Sequence, residues 1–126
     1  MDKIQIKGLE IFAYHGVNPE EKENGQPFLL DITLWADLSR ARRSDDLNDT
    51  VNYAAVRKTV QRVFTAEKYD LIERAAQAVC DGILGEHPQV EEVRVTLKKP
   101  EAPMNAVFDY VAVEVAEARQ KGGGGQ

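Results

Sequence analysis

The chain has 126 residues, 43% of them hydrophobic and 29% charged, with a formal net charge of −5. That length fits one domain with a respectable core and excludes an eight-stranded α/β barrel of about 250 residues. The acidic balance argues against nucleic acid or an anionic membrane as the main partner.

From the amino end, Ile4, Ile6, Leu9, Ile11 and Ala13 alternate with polar residues, and the phase slips at Gly8. This predicts a strand carrying a bulge. Asn24–Gly25 is a turn signal, and Phe28, Leu30, Ile32, Leu34 and Ala36 predict a second, antiparallel strand. An acidic loop from His15 to Gln26 is expected between them. The basic cluster Arg40, Arg42, Arg43 runs into Asp45 and Asp46, the pattern of a solvated turn.

The period then changes. Val56, Val60, Val63 and Phe64 recur at helical spacing behind a cap at Asn52, and Ile72, Ala75, Ala76, Val79, Ile83 and Leu84 define a second helix. Gly85 and Pro88 mark its end. Strand spacing returns in Val93, Val95 and Leu97, and again in Val107, Val111, Val113 and Val115. Cys80, the only cysteine, falls among apolar helical positions and is expected in the core.

The predicted order ββααββ gives an α+β fold, a four-stranded antiparallel sheet with both helices on one face. Its two exposed edges are an aggregation hazard that pairing between subunits would remove, so a closed oligomer is expected. One domain is expected over residues 1–118, with a disordered Gly-rich tail at 119–126. With no charged-then-apolar leader and no run of about 18 apolar residues, the expected location is the cytoplasm, away from membranes.

The inventory of reactive groups is narrow. His15 and His87 lie far apart and outside any HxH or HExxH pattern, which with one cysteine disfavours a zinc site. No nucleophile elbow or Gly-rich phosphate loop occurs. Carboxylates, tyrosines and lysines remain, in four stretches.

Tyr14-His15-Gly16-Val17, followed by Glu20, Glu21 and Glu23, taken alone resembles a solvated hairpin connection. Tyr53, in Asp49-Thr50-Val51-Asn52-Tyr53, taken alone is a packing aromatic at a helix start. Asp70-Leu71-Ile72-Glu73 has the form of a capping box. A helix start also offers unpaired amides, and a carboxylate beside them makes a mixed donor–acceptor edge suited to a flat heterocycle. Lys98-Lys99-Pro100-Glu101-Ala102-Pro103 has the form of a strand terminator.

In order, these stretches resemble the dihydroneopterin aldolase family over residues 3–117. The passages are Gly8-Leu9 through Tyr14-His15-Gly16, Glu21 with Gly25-Gln26, Asp45-Asp46-Leu47 through Asn52-Tyr53, Leu71-Ile72-Glu73, and Lys99-Pro100 with Ala102-Pro103. The resemblance implies a T-fold, whose subunits join sheets edge to edge into a tetrameric barrel, two rings stacking into a homo-octamer. It implies a reduced pterin substrate, 7,8-dihydroneopterin, cleaved without metal or cofactor to 6-hydroxymethyl-7,8-dihydropterin and glycolaldehyde in folate biosynthesis.

By the same resemblance Glu73 matches the pterin anchor, the backbone at Ile72 a further ring contact, and Val17 a position near the ring. Tyr53 matches a tyrosine contributed across the subunit interface. Lys99 matches the catalytic lysine, chosen over Lys98 by its pairing with Pro100, and Glu21 a loop glutamate beside it. Met104-Asn105 departs from the Ile-Pro followed by glycine that the family often has there. A T-fold 2′-epimerase acting on dihydroneopterin or its triphosphate, and a non-catalytic pterin- or purine-binding oligomer, are the alternative readings.

Overall fold

The computed structural model of the chain describes residues 1–120. Strands β1 (Asp2–Ala13), β2 (Gln26–Ala36), β3 (Glu92–Lys99) and β4 (Val111–Ala118) form one antiparallel sheet in the order β1-β2-β3-β4. Helices α3 (Tyr53–Phe64) and α4 (Ile72–Glu86) pack on one face. That face carries the inward residues Phe28, Leu30, Ile32 and Leu34 of β2 and Val93, Val95 and Leu97 of β3, all at most 1% exposed.

The predicted bulge is present: β1–β2 register shifts between Ile6 and Leu9, with Gly8 at φ 67°. A positive φ there favours glycine, which has no Cβ to clash. The Asp31 carboxylate accepts the Gly8 N–H at 2.8 Å, and Lys98 pairs with the same carboxylate at 3.0 Å. Asn52 caps α3 as expected, its side chain accepting from Ala54 and Ala55 N–H. Cys80 is fully buried, and burial pushes its thiol up to about 12, so it stays protonated in the core.

Three expectations need correction. The predicted acidic loop contains a short helix, α1 (Pro19–Asn24), begun by Pro19 and Glu20 behind Asn18. The solvated turn at the basic cluster is a helical turn, α2 (Ala41–Ser44), closed by Asp45 at φ 58°. Val107 lies outside β4 and is fully exposed in the loop before it.

Just past β4, Arg119 reaches back to the end of α4. The Arg119 guanidinium donates to the carbonyls of Leu84, His87 and Val90, taking up acceptors left open where α4 ends. The rest of the expected tail, residues 121–126, lies outside the described residues.

Among the described residues, β1 and β4 each present one edge without a strand partner. No helix there is long and apolar enough to cross a membrane.

Candidate active site

Three elements converge on a cleft of about 370 Å³. The segment through α1 supplies Val17 and Glu21, the start of α4 supplies Ile72 and Glu73, and the end of β3 supplies Lys99. Strand alternation decides which lysine enters. Lys98 lies on the opposite face with Asp31, whereas Lys99 points among the helices and the loop.

Lys99 Nζ meets Glu21 Oε2 at 2.6 Å, with side-chain exposures of 11% and 8%. Glu21 is densely bonded. Asn18 donates to its Oε1 from the backbone N–H at 3.3 Å and from the side-chain amide at 3.2 Å, and the Gln26 amide donates to Oε2 at 3.1 Å. Burial alone would raise the Glu21 carboxyl, but the bonds from Lys99, Asn18 and Gln26 outweigh it and hold the group below its ordinary value. The Glu21 carboxylate is therefore charged at neutral pH. In sequence Gln26 stands out only within the Gly25-Gln26 passage and with no role, since a glutamine at a strand start carries no catalytic signature. Only the fold brings it to Glu21.

Gly16 explains part of the Tyr14-His15-Gly16 pattern. Its φ is 155°, and a Cβ there would fall within 2.5 Å of all three Glu21 carboxylate atoms. Any side chain at this position would push Glu21 out of place.

At the other wall, the capping box does not form. Leu71 is the N-cap residue of α4, no side chain caps it, and Glu73 stands exposed in the first turn. Asp70 is drawn away instead, pairing with Lys22 at 2.6 Å. The start of α4 thus offers unpaired amides beside a carboxylate with no partner in its own helix. Beyond Lys99, Ala102 and Pro103 line the cleft, and the divergent Met104 and Asn105 do not.

Tyr53 is the expected site residue that the chain does not bring to this cleft. It begins α3, is 63% exposed, and faces solvent elsewhere. Among the described residues no three of His, Cys, Asp and Glu converge as a metal-binding group.

His15, read from sequence as part of a solvated connection, is fully buried. Its Nε2 lies 2.8 Å from the Phe64 carbonyl and its Nδ1 accepts the Tyr69 N–H at 3.1 Å, which requires the neutral ring protonated on Nε2. Burial pushes the imidazole down from 6.5 to about 4; the Phe64 carbonyl pulls the other way, and the Lys22 and Lys99 charges add to the lowering.

Unfolded chains would therefore bind a proton between those two values that the folded state refuses. Stability is complete above pH 6.5 and falls as pH drops toward 4, by roughly 3 kcal/mol in all. Urea midpoints measured across this range, with NMR titration of the imidazole, check this. A folded His15 titrating near 6.5 would contradict it.

Comparison with known proteins gives a consistent set of matches. The dihydroneopterin aldolase (FolB) family model matches residues 4–116. A dihydroneopterin aldolase of Streptococcus pyogenes serotype M18 is 40% identical over 119 residues, covering 94% of this chain and 100% of the relative. That of Methylorubrum extorquens is 39% identical over 118 residues, covering 94% and 91%. The crystal structure of E. coli dihydroneopterin aldolase in complex with neopterin superposes with a TM-score of 0.85 at 30% identity, covering 94% of this chain and 100% of that one.

Proposed function

The chain belongs to the dihydroneopterin aldolase family, and from that premise we propose that it is a metal-free carbon–carbon lyase cleaving 7,8-dihydroneopterin. The observation carrying this reading is that a buried Lys99–Glu21 pair at 2.6 Å and the exposed Glu73 carboxylate line one cleft.

A retro-aldol cleavage needs a base and an electron sink. In a 7,8-dihydropterin the C6=N5 imine adjoins the breaking bond, so the substrate supplies the sink. Glu73 accepts from the 2-amino group and adjacent ring N–H, and the backbone at Ile72 and Val17 contacts the ring. Lys99 in its neutral form removes the 2′-hydroxyl proton. The C1′–C2′ bond breaks, its electron pair passes into C6=N5 as an enamine, and glycolaldehyde leaves. Protonation at C1′ then gives 6-hydroxymethyl-7,8-dihydropterin. Glu21 accepts from Lys99 and keeps the amine aimed into the cleft; it also offers a place to pass the proton.

Tyr53 completes the site from a neighbouring subunit, orienting the hydroxyl. This reading fits its exposure and its absence from the lining of its own cleft. The free edges of β1 and β4 support joining four T-folds, each spanning residues 1–118, into a barrel and stacking two rings into a cytoplasmic octamer.

Epimerisation of the 2′-carbon by re-addition of glycolaldehyde would use the same groups. A triphosphate substrate is disfavoured, because Lys99, the one lysine among the described residues lining the cleft, is already engaged by Glu21, and Lys22 is engaged by Asp70.

The test is incubation of the purified protein with 7,8-dihydroneopterin and a chelator, followed by assay of glycolaldehyde. Release is expected, and borohydride should trap no imine on the enzyme. An inverted polyol without glycolaldehyde, or no turnover, would refute the lyase.

A further inference from the structure

The cleft has two kinds of wall. Lys99 and Glu73 ride on β3 and α4, both fixed by the main core through Val95, Leu97, Ala75, Ala76 and Val79. Glu21 rides on α1, a helix of six residues in which it is the only buried one. Such a segment has too little apolar surface to hold its own position.

Polar ties do that work: the Glu21 carboxylate is held by Lys99 of β3 and Gln26 of β2, and the backbone carrying it is tied to the connection between α3 and α4. His15 spans the end of α3, at the Phe64 carbonyl, and the Tyr69 N–H. Gly16 N–H donates to the Tyr69 carbonyl at 2.9 Å. The ring of His15 sits against Phe28, Phe64 and Tyr69, with centroids at 5.4, 4.5 and 5.3 Å. On the outside Lys22 hydrogen-bonds the Gly16 carbonyl and pairs with Asp70, while Lys68 donates to the Lys22 carbonyl at 2.7 Å.

We propose that His15 is a positioning residue for the lyase reaction: anchored to Phe64 and Tyr69, and backed by Lys22, it fixes the segment carrying Glu21 against the connection leading into Glu73. It touches no substrate. Its role is to set the spacing between the group beside the reacting hydroxyl and the anchor of the ring, a spacing that neither β3 nor α4 can set alone. The inference rests on the reading that Glu21, Lys99 and Glu73 act on one molecule.

Two variants of the full chain test it, His15→Phe, which keeps an aromatic ring but loses both hydrogen bonds, and Lys22→Met, which cuts the side-chain ties to the Gly16 carbonyl and Asp70 from a half-exposed position. Each is assayed well below its own melting midpoint. The readouts are kcat on 7,8-dihydroneopterin and the Kd for a pterin lacking the C6 side chain, which needs Glu73 but not Glu21.

Misplacement of reacting groups by about 1 Å can cost up to about a hundredfold. His15→Phe is expected to lower kcat by about tenfold and Lys22→Met by about threefold, with the ring-only Kd within about twofold of the parent in both. A kcat within twofold of the parent in folded His15→Phe would overturn the proposal. So would a ring-only Kd that worsens in step with kcat, the mark of general loosening. Should His15→Phe fail to fold, the same readings on Lys22→Met decide. A parent protein that releases no glycolaldehyde would instead refute the lyase reading, before any variant is made.

Discussion

Lys99→Ala is expected to lower kcat for glycolaldehyde release by about 10²–10⁴, the usual cost of losing a general base, while leaving pterin affinity within a few-fold of the parent. The separation follows from geometry. Lys99 is carried by β3 and paired with Glu21, whereas the ring anchor is carried by α4, so losing Lys99 removes the proton acceptor and spares the anchor.

The variant has a structural cost as well. Removing one partner of a buried pair leaves the other charge uncompensated, at about 3–5 kcal/mol when nothing else satisfies it. Glu21 keeps its bonds from Asn18 and Gln26, so a smaller loss is expected and the folded variant remains measurable. Its carboxyl should also titrate closer to the ordinary value once the lysine is gone. In the parent the depressed Glu21 contributes stability that is present above about pH 4.5 and lost as pH falls through its lower folded value. Single-turnover glycolaldehyde release, beside equilibrium binding of neopterin, checks the prediction. Turnover within threefold of the parent would remove Lys99 from the base role.

Much of this site could be anticipated from residue order, and the parts that could not share a physical cause. Local rules sufficed wherever the signal was periodic or conformational. The slip at Gly8 became a bulge and Asn52 became a cap, while Lys99, chosen for its pairing with Pro100, enters the cleft and Lys98 pairs with Asp31. They failed where a tertiary partner outbid a local one. Asp70 has the spacing of a capping box with Glu73, but Lys22 arrives from a segment 48 positions earlier and takes it. His15 looked like part of a solvated connection because nothing in its neighbourhood announces Phe64 or Tyr69, which lie 49 and 54 positions away. The six-residue α1 is below the length at which helical periodicity can be counted. Tyr53 is a different case: on the proposed reading it serves a neighbouring subunit, and such a residue has no signature in its own chain's fold.

Asp70's commitment to Lys22 bears directly on Glu73. Had the capping box formed, the Glu73 carboxylate would have been spent on a backbone amide and poorly placed to hold a ligand. It stands instead in the uncapped first turn of α4, exposed beside free N–H groups. The guanidine-like edge of a pterin offers that carboxylate two donors. A hydrogen bond to a charged group is worth about 1.5–3 kcal/mol, so Glu73→Ala is expected to raise the Kd for neopterin by roughly ten- to a hundredfold or more. The fold should scarcely notice. The variant loses a favourable carboxylate–dipole interaction of only about 0.3–1 kcal/mol and leaves no buried group unsatisfied. Glu73→Gln separates charge from shape, because its amide keeps one acceptor but presents a donor to a donor. It should bind nearly as weakly as the alanine variant. Titration calorimetry with neopterin, paired with melting curves, reads both effects. Neopterin bound by Glu73→Ala within twofold of the parent affinity would mean that the ring is anchored elsewhere, and the orientation of the substrate across the cleft would have to be reversed.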